Sequence, residues 1–297
     1  MADTTLSSGT PETAEPEGTG EPGFFRVLLA RRSVQVSLVV FLAIAILCLF
    51  ASLVAPANPD AMSVRMRLQG PSAAHWFGTD AFGRDVLSRL LYAGRSSLSI
   101  GLSVAILSSL LGVAIGLTAG FFSRLDWPFS RMIDAMMAFP DILLALSLVA
   151  IFGGTLTNVV IALSIVYAPR VARIVRASTM VIREMPYVEA ARALGTRTWR
   201  IMITHALRNI VSPILVQATF IFAYAMLAEA GLSFLGIGVD PETPTWGIMV
   251  NEGRQYLDTA IYLILFPGVA ISLSVLTLQI VGDALRDALD PHLAKEA

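Results

Sequence analysis

Six apolar runs, each long enough to cross a lipid bilayer as a helix, dominate this chain and leave it few architectures. A helix rises about 1.5 Å per residue and the hydrocarbon layer is about 30 Å thick, so about twenty apolar residues make one span. The runs cover residues 34–55, 96–122, 133–152, 157–175, 210–228 and 261–281, with Gly153, Gly154 and Asn158 breaking the chain between the third and fourth. Backbone groups in hydrocarbon must be satisfied within the segment, which favours helices. Composition agrees: 55% of residues are hydrophobic, only 14% are charged, and the mean hydropathy is +0.70. The first run is longer than the h-region of a cleaved signal peptide, usually about 7–15 residues, and is expected to stay as an anchor. The expected fold is all-α: a polytopic membrane protein with about six transmembrane helices.

The segments between the runs set the rest of the organisation. Residues 1–23 are rich in Thr, Ser, Glu, Pro and Gly and read as a disordered cytoplasmic tail. Residues 24–33 (FFRVLLARR and Ser33) suit an interfacial basic helix, and 34–55 is the first span. A polar extracytoplasmic segment, 56–95, precedes a transmembrane core, 96–285, that contains a loop at 184–208; residues 286–297 form a short tail. With the N terminus placed in the cytoplasm, fifteen of the 21 Lys+Arg fall in inside segments, and only Arg65, Arg67, Arg84, Arg89, Arg95 and Arg254 fall outside. That bias puts both termini on the cytoplasmic side of the membrane, with membrane lipid as the surroundings and no nucleic-acid partner expected.

Three function classes drop out early. Lys295 is the sole lysine, so no Gly-x-x-x-x-Gly-Lys-Ser/Thr loop can cradle a nucleotide phosphate, and the chain is not itself an ATPase. Cys48 is the only cysteine and lies in the first span, which rules out an intrachain disulfide. His75, His205 and His292 show no metal-ligand spacing, so no metal site is expected.

The loop between the fourth and fifth runs is patterned too regularly for a passive linker. Pro186 suits the first position of a helix and Gly195 the position just past its end. Between them Tyr187, Ala190, Ala191 and Leu194 fall at i, i+3, i+4 and i+7, with Glu189 and Arg192 off that stripe. Thr196 is placed to cap a second helix in which Trp199, Met202, Ile203, Ala206 and Leu207 repeat the spacing, opposite Arg197, Arg200, Thr204 and Arg208. The second helix is expected to pack on the bundle and the first to stand out, free to enter a groove of a partner protein.

Glu189-Ala190-Ala191, three residues, then Gly195, followed by His205 and Leu207, resembles the EAA signature of ABC importer permeases. His75 to Arg89 (HWFGTDAFGRDVLSR), Leu232 to Gly236 with Trp246-Gly247, and GDALRDALDP from Gly282 to Pro291 are similar to the dipeptide, oligopeptide and nickel branch, in its C-type permease subunit. The similarity covers about residues 24–292; one departure is Arg208, where that family usually has proline. The resemblance implies a type I importer permease fold and a heterodimer with a homologous permease. It also implies one or two ABC ATPase subunits that carry ATP and Mg, and an extracytoplasmic substrate-binding protein, with no cofactor bound by this chain. Tyr187, Glu189, Ala190, Ala191, Leu194, Gly195 and Arg197 would then form the ATPase-coupling surface. Peptide is the expected cargo, with nickel or a heme-like ligand as alternatives. A proton-coupled secondary transporter, a membrane subunit of a redox complex or an assembly scaffold are the readings from other classes. The first two would favour paired acidic and basic residues at mid-span and internal repeats, and the sequence displays neither.

Several single residues invite a role. Gly112, Gly116 and Gly120 form a row that lets another helix approach closely, most simply for packing. Pro140 and Asp141 interrupt the third run and Pro267 with Gly268 the sixth. Met136, Met137, Pro140, Asp141, Glu229 and Phe234 are the candidates for a translocation pathway, Glu229 being expected to face it. Arg170, Arg173 and Arg176 share a face that reads as solvated or lipid-phosphate-binding.

Overall fold

The computed structural model describes residues 31–240 and 242–289; the expected tail at 1–23, residues 24–30 of the expected interfacial helix and residues 290–297 lie outside them. Among the described residues there are helices and no strands. Five helices are long and apolar enough to cross a membrane, or six if one bent pair counts as a span. They are α1 (Arg32–Leu49), α2 (Val86–Phe121), the bent pair α3 (Ser123–Met137) and α4 (Asp141–Phe152), α5 (Leu156–Arg183), a helix starting at Thr198 whose main part is α7 (Arg208–Phe234), and α9 (Tyr262–Leu289). Two short helices, α6 (Pro186–Ala193) and α8 (Trp246–Gly253), sit in the connections.

The sequence runs underestimate most of these helices. Helix α2 begins ten residues before its apolar run, because Asp85 caps it: its carboxylate accepts the Ser88 backbone N–H at 2.8 Å, so residues 86–95, which carry Arg89 and Arg95, are helical too. Helix α9 extends through Arg286 to Leu289, so part of the expected C-terminal tail is helix. Asn158 does not break the chain; it lies inside α5, whose N-cap is Thr155. Pro267 leaves α9 unbroken, as do Pro169 in α5 and Pro213 in α7, in keeping with the tolerance of membrane helices for proline. Pro140 does mark a break: α3 and α4 meet at 95°. Proline disfavours the helical conformation for the residue before it, Phe139, and supplies an extended residue ahead of Asp141.

The centre of the bundle is the α2–α5 contact, made possible by the glycine row. A Cβ on Gly112, Gly116 or Gly120 would meet Val171 Cβ at 2.5 Å, the Ala172 carbonyl at 2.6 Å and Thr179 Cβ at 2.6 Å respectively. Ascending numbers on α2 meet ascending numbers on α5, so the two helices run parallel. The chain between them must therefore recross the layer, and α3 with α4 is the only helical path available among the described residues. In lipid there is little hydrophobic gain from helix contact, so backbone approach across small residues is what holds such a pair.

Arg31 and Asp287 pair at 2.9 Å, which brings the two described ends of the chain together. They lie at the end of the bundle that also carries α6, since Arg183 donates to the Gly120 carbonyl at 3.0 Å where α2 and α5 finish. The opposite end holds the start of α2, the hairpin at 75–85, α8 and the start of α9. There Trp246 donates from Nε1 to the Leu90 carbonyl at 2.9 Å, and Phe77 stacks on Phe266 with centroids 4.0 Å apart. Helix α1 buries only Val34, Ser37 and Cys48 and exposes Val36, Val39, Leu42 and Ile46, a surface suited to lipid and not to water.

Candidate functional site

Helix α6 has the limits its sequence suggests. Pro186 occupies its first turn after an extended Met185, and Leu194 is the C-cap. Gly195 takes φ +75°, its N–H bonds the Arg192 carbonyl at 2.9 Å, and the Thr196 N–H bonds the Ala191 carbonyl at 3.0 Å. Those two bonds make a Schellman stop. Thr196 is thus spent on ending α6 and does not cap the next helix, which starts at Thr198 with Arg197 in the cap position and no side-chain cap.

The expected apolar stripe on α6 divides between two environments. Of its four residues only Ala191 packs against the core; Tyr187, Ala190 and Leu194 face outward, Leu194 at 86% exposure, as does Glu189, and the buried residue is Val188, which lies off the expected stripe. The second helix shifts more. Residues 202–207 form a π-helical turn, whose i→i+5 bonding inserts a residue into the repeat. The inward residues become Ile201, Ala206 and Ile210, while Trp199 and Ile203 are 59% and 54% exposed instead of packing. Arg208 opens α7 without ending the helix. Leu194, Trp199 and Ile203 thus leave apolar side chains exposed on either side of Gly195 in the chain, along with the exposed Arg197 and Arg200. An apolar patch rimmed by charge is the form of a protein-docking face.

Two ties bind this face to the bundle. Arg192 of α6 sits over the Phe121 ring at the end of α2, 5.1 Å from its centroid. Only Glu184 and Met185 separate α5 from α6, and Arg183, the last residue of α5, also donates to Ser123 Oγ at 3.3 Å.

The three arginines of α5 are not a free basic stripe. Arg170 pairs with Asp141, Arg173 with Asp134 at 2.8 Å, and Arg176 grips Asp126 with both Nε and Nη2, the latter at 3.0 Å. Arg170 also lies over the rings of Tyr167 and Tyr224, 5.3 and 5.6 Å from their centroids. Asp126 and Asp134 belong to α3 and Asp141 opens α4, so the ladder clasps both arms of the 95° bend to one straight helix. Acidic and basic residues on neighbouring helices are therefore paired here, so the arginine face is not left to solvent or lipid phosphate alone. The signal is there in part: arginines at i, i+3 and i+6 face acids eight and seven residues apart, but matching them needs the fold.

Of the pathway candidates, Met136 and Met137 are half-buried at the end of α3 and Pro140 is exposed at the bend. Asp141 is engaged by Arg170, and Phe234 is partly exposed under Arg254, which lies 5.3 Å from its ring centroid. Glu229 does not face an opening. It is 1% exposed, and its Oε1 accepts Ser233 Oγ and Thr245 Oγ1, both at 2.8 Å. Thr245 caps α8 through the Ile248 N–H, so Glu229 latches α7 to α8. Ser233, one turn on in α7, is visible in the sequence as a partner, but nothing there hints that Thr245 from the following loop also closes over it. The residues proposed from the sequence for coupling lie on α6 and just after it, whereas the pathway candidates are spread over α3, the bend, α4 and α7.

The family described as binding-protein-dependent transport system inner membrane component matches residues 108–295. The N-terminal transmembrane domain of oligopeptide transport permease C matches residues 23–71. A putative peptide transport system permease protein of Brucella suis is 49% identical over 271 residues, which are 91% of this chain and 92% of the relative. A dipeptide transport system permease protein of Alkalihalophilus pseudofirmus is 42% identical, over 91% and 89% of the two chains. A nickel transport system permease protein of Escherichia coli K12 is 38% identical, over 91% and 98%.

Proposed function

Since this chain belongs to the family of binding-protein-dependent transport system inner membrane components, a permease subunit of the ABC importer kind, we propose that it lines half of an ATP-driven pathway for peptides and is driven through α6. A homologous permease supplies the other half, and cytoplasmic ATPase subunits that carry ATP and Mg seat against α6. A substrate-binding protein delivers cargo at the opposite end. The arginine bias of the connections supports placing the α6 end, with both termini, in the cytoplasm.

The observation that carries the reading is the exposed face at Leu194, Trp199 and Ile203 on a short helix joined to α5 by two residues. Nucleotide that binds a closed ATPase pair more tightly than an open one shifts the whole assembly toward whichever bundle state suits that closure. Movement of α6 reaches α5 directly, and the arginine ladder passes it to α3 and α4. Because those two helices form the bent return path, turning them changes the opening between the halves. Selectivity among peptide cargoes then falls to the binding protein, and the peptide reading rests on the relatives named for peptide transport.

Reconstitution with the partner permease, the ATPase subunits and the binding protein in vesicles tests this. Labelled dialanine should accumulate only with ATP and binding protein together. Accumulation of nickel in place of dialanine would move the cargo to the other named class, and uptake driven by a proton gradient without ATP would overturn the scheme.

A further inference from the structure

At the end of the bundle opposite α6, two buried arginines are held rigidly with most of their donors unused. The hairpin at 75–85 is fixed by a bridge between Thr79 and Asp85 and by positive φ at Gly78 and Gly83. Asp80 Oδ1 accepts the Phe82 and Arg84 backbone N–H groups at 2.8 and 2.9 Å, and its Oδ2 accepts Arg84 Nε at 2.6 Å. Arg89 lies one turn into α2, and Glu252 of α8 spans the pair: its Oε2 accepts Arg84 Nη2 at 3.3 Å and Arg89 Nη2 at 3.2 Å. Arg89 Nε stands 3.8 Å from Asp80 Oδ2, too far for a hydrogen bond.

A guanidinium carries five N–H donors, ten for the pair. Three of them have an acceptor among the described residues, although the side chains are only 9% and 4% exposed. None of the remaining nitrogens is sealed from water, so they stay available to an incoming acceptor, and a charge-assisted hydrogen bond to a carboxylate is a strong one. Both arginines open onto a cleft walled by Phe82, Met249, Gln255, Tyr256 and Leu263. Glu252 is the one loose member, a third exposed and joined by a single oxygen.

We propose that Arg84 and Arg89 form a binding site for an organic carboxylate, with Glu252 as a resident counter-ion that the ligand displaces. The resident group identifies the class: a carboxylate oxygen already fits between the two Nη2 atoms, and guanidinium pairs suit a bidentate acid. Apolar walls favour an acid with a hydrocarbon part over an inorganic anion. Asp80 is tied up by backbone N–H groups and stays in place. The site follows from this geometry alone and does not depend on the ATP-driven reading.

The purified full chain in detergent, titrated with N-acetylalanine and with its amide, provides the test. The acid should bind at least about tenfold more tightly than the amide, which lacks only the charge. Arg89→Lys should weaken the acid by about tenfold, since an ammonium cannot make the two parallel bonds. Glu252→Gln should tighten it severalfold by removing the competitor; a purely structural ion pair predicts no gain. An acid bound no better than its amide, or weakened by Glu252→Gln, would overturn the site. In the reconstituted transporter, excess N-acetylalanine sorts the source of the carboxylate. A rise in the binding-protein concentration giving half-maximal ATPase stimulation marks an acidic side chain of the docked protein. Stimulation unchanged, with direct binding intact, marks a free small acid.

Discussion

Gly195→Pro should reduce ATP-driven uptake to background while the protein still inserts in the membrane and pairs with its partner permease. Gly195 holds φ at +75° and donates its N–H to Arg192, and proline can do neither, since its ring fixes φ near −65° and removes the donor. The misfit costs about 3 kcal/mol, roughly a hundredfold bias against the native stop, and it falls on the turn that aims Leu194 outward. A Cβ at Gly195 meets nothing within 4 Å, so Gly195→Ala should keep substantial activity, with only the left-handed cost of about 1–2 kcal/mol. Uptake into vesicles, alongside the amount of assembled complex recovered in detergent, separates the two variants. Uptake by Gly195→Pro at the wild-type rate would remove α6 from the mechanism.

Reversing one rung of the ladder should be nearly as damaging. Asp141→Arg places a second guanidinium against Arg170 where each partner is about one-third exposed, 35% and 32%. Loss of the pair costs about 1–2 kcal/mol, between the values for exposed and buried ion pairs, and repulsion adds to it. Uptake should fall at least about tenfold, the fold-change that 1.4 kcal/mol represents. Combining it with Arg170→Asp restores opposite charges across the bend and should return most of the uptake, whereas Arg173→Asp, at the more exposed pair, should be milder. The double-mutant cycle measures the coupling directly. No recovery in the swapped pair would mean that the bend is set by packing and not by charge.

The architecture is legible in the sequence wherever one strong signal decides the outcome. Apolar runs of spanning length locate the helices, and Pro186 with Gly195 bounds α6, because a fixed φ and a left-handed residue are local demands that no tertiary contact needs to supply. The sequence misleads where distant chain decides. The start of α2 at Val86 depends on the Asp85 cap, which its polar surroundings disguise. A 3.6-residue repeat points Trp199 and Ile203 inward, and one π-helical turn moves them out. An acid in a span is costly, which marks Glu229 as a pathway residue; Thr245, sixteen residues on, provides the hydroxyl that makes its burial tolerable. Arg170, Arg173 and Arg176 look solvated because their partners lie on helices that precede α5 across a sharp bend.

The central claim is that the α6 end of the bundle meets an ATPase, and photo-cross-linking from position 194 tests it most directly. A photoreactive residue in place of Leu194, whose side chain is 86% exposed, should capture an ATPase subunit in membranes, with a yield that changes when ATP is supplied. Capture of the ATPase from position 252, at the opposite end, with none from position 194, would contradict the account.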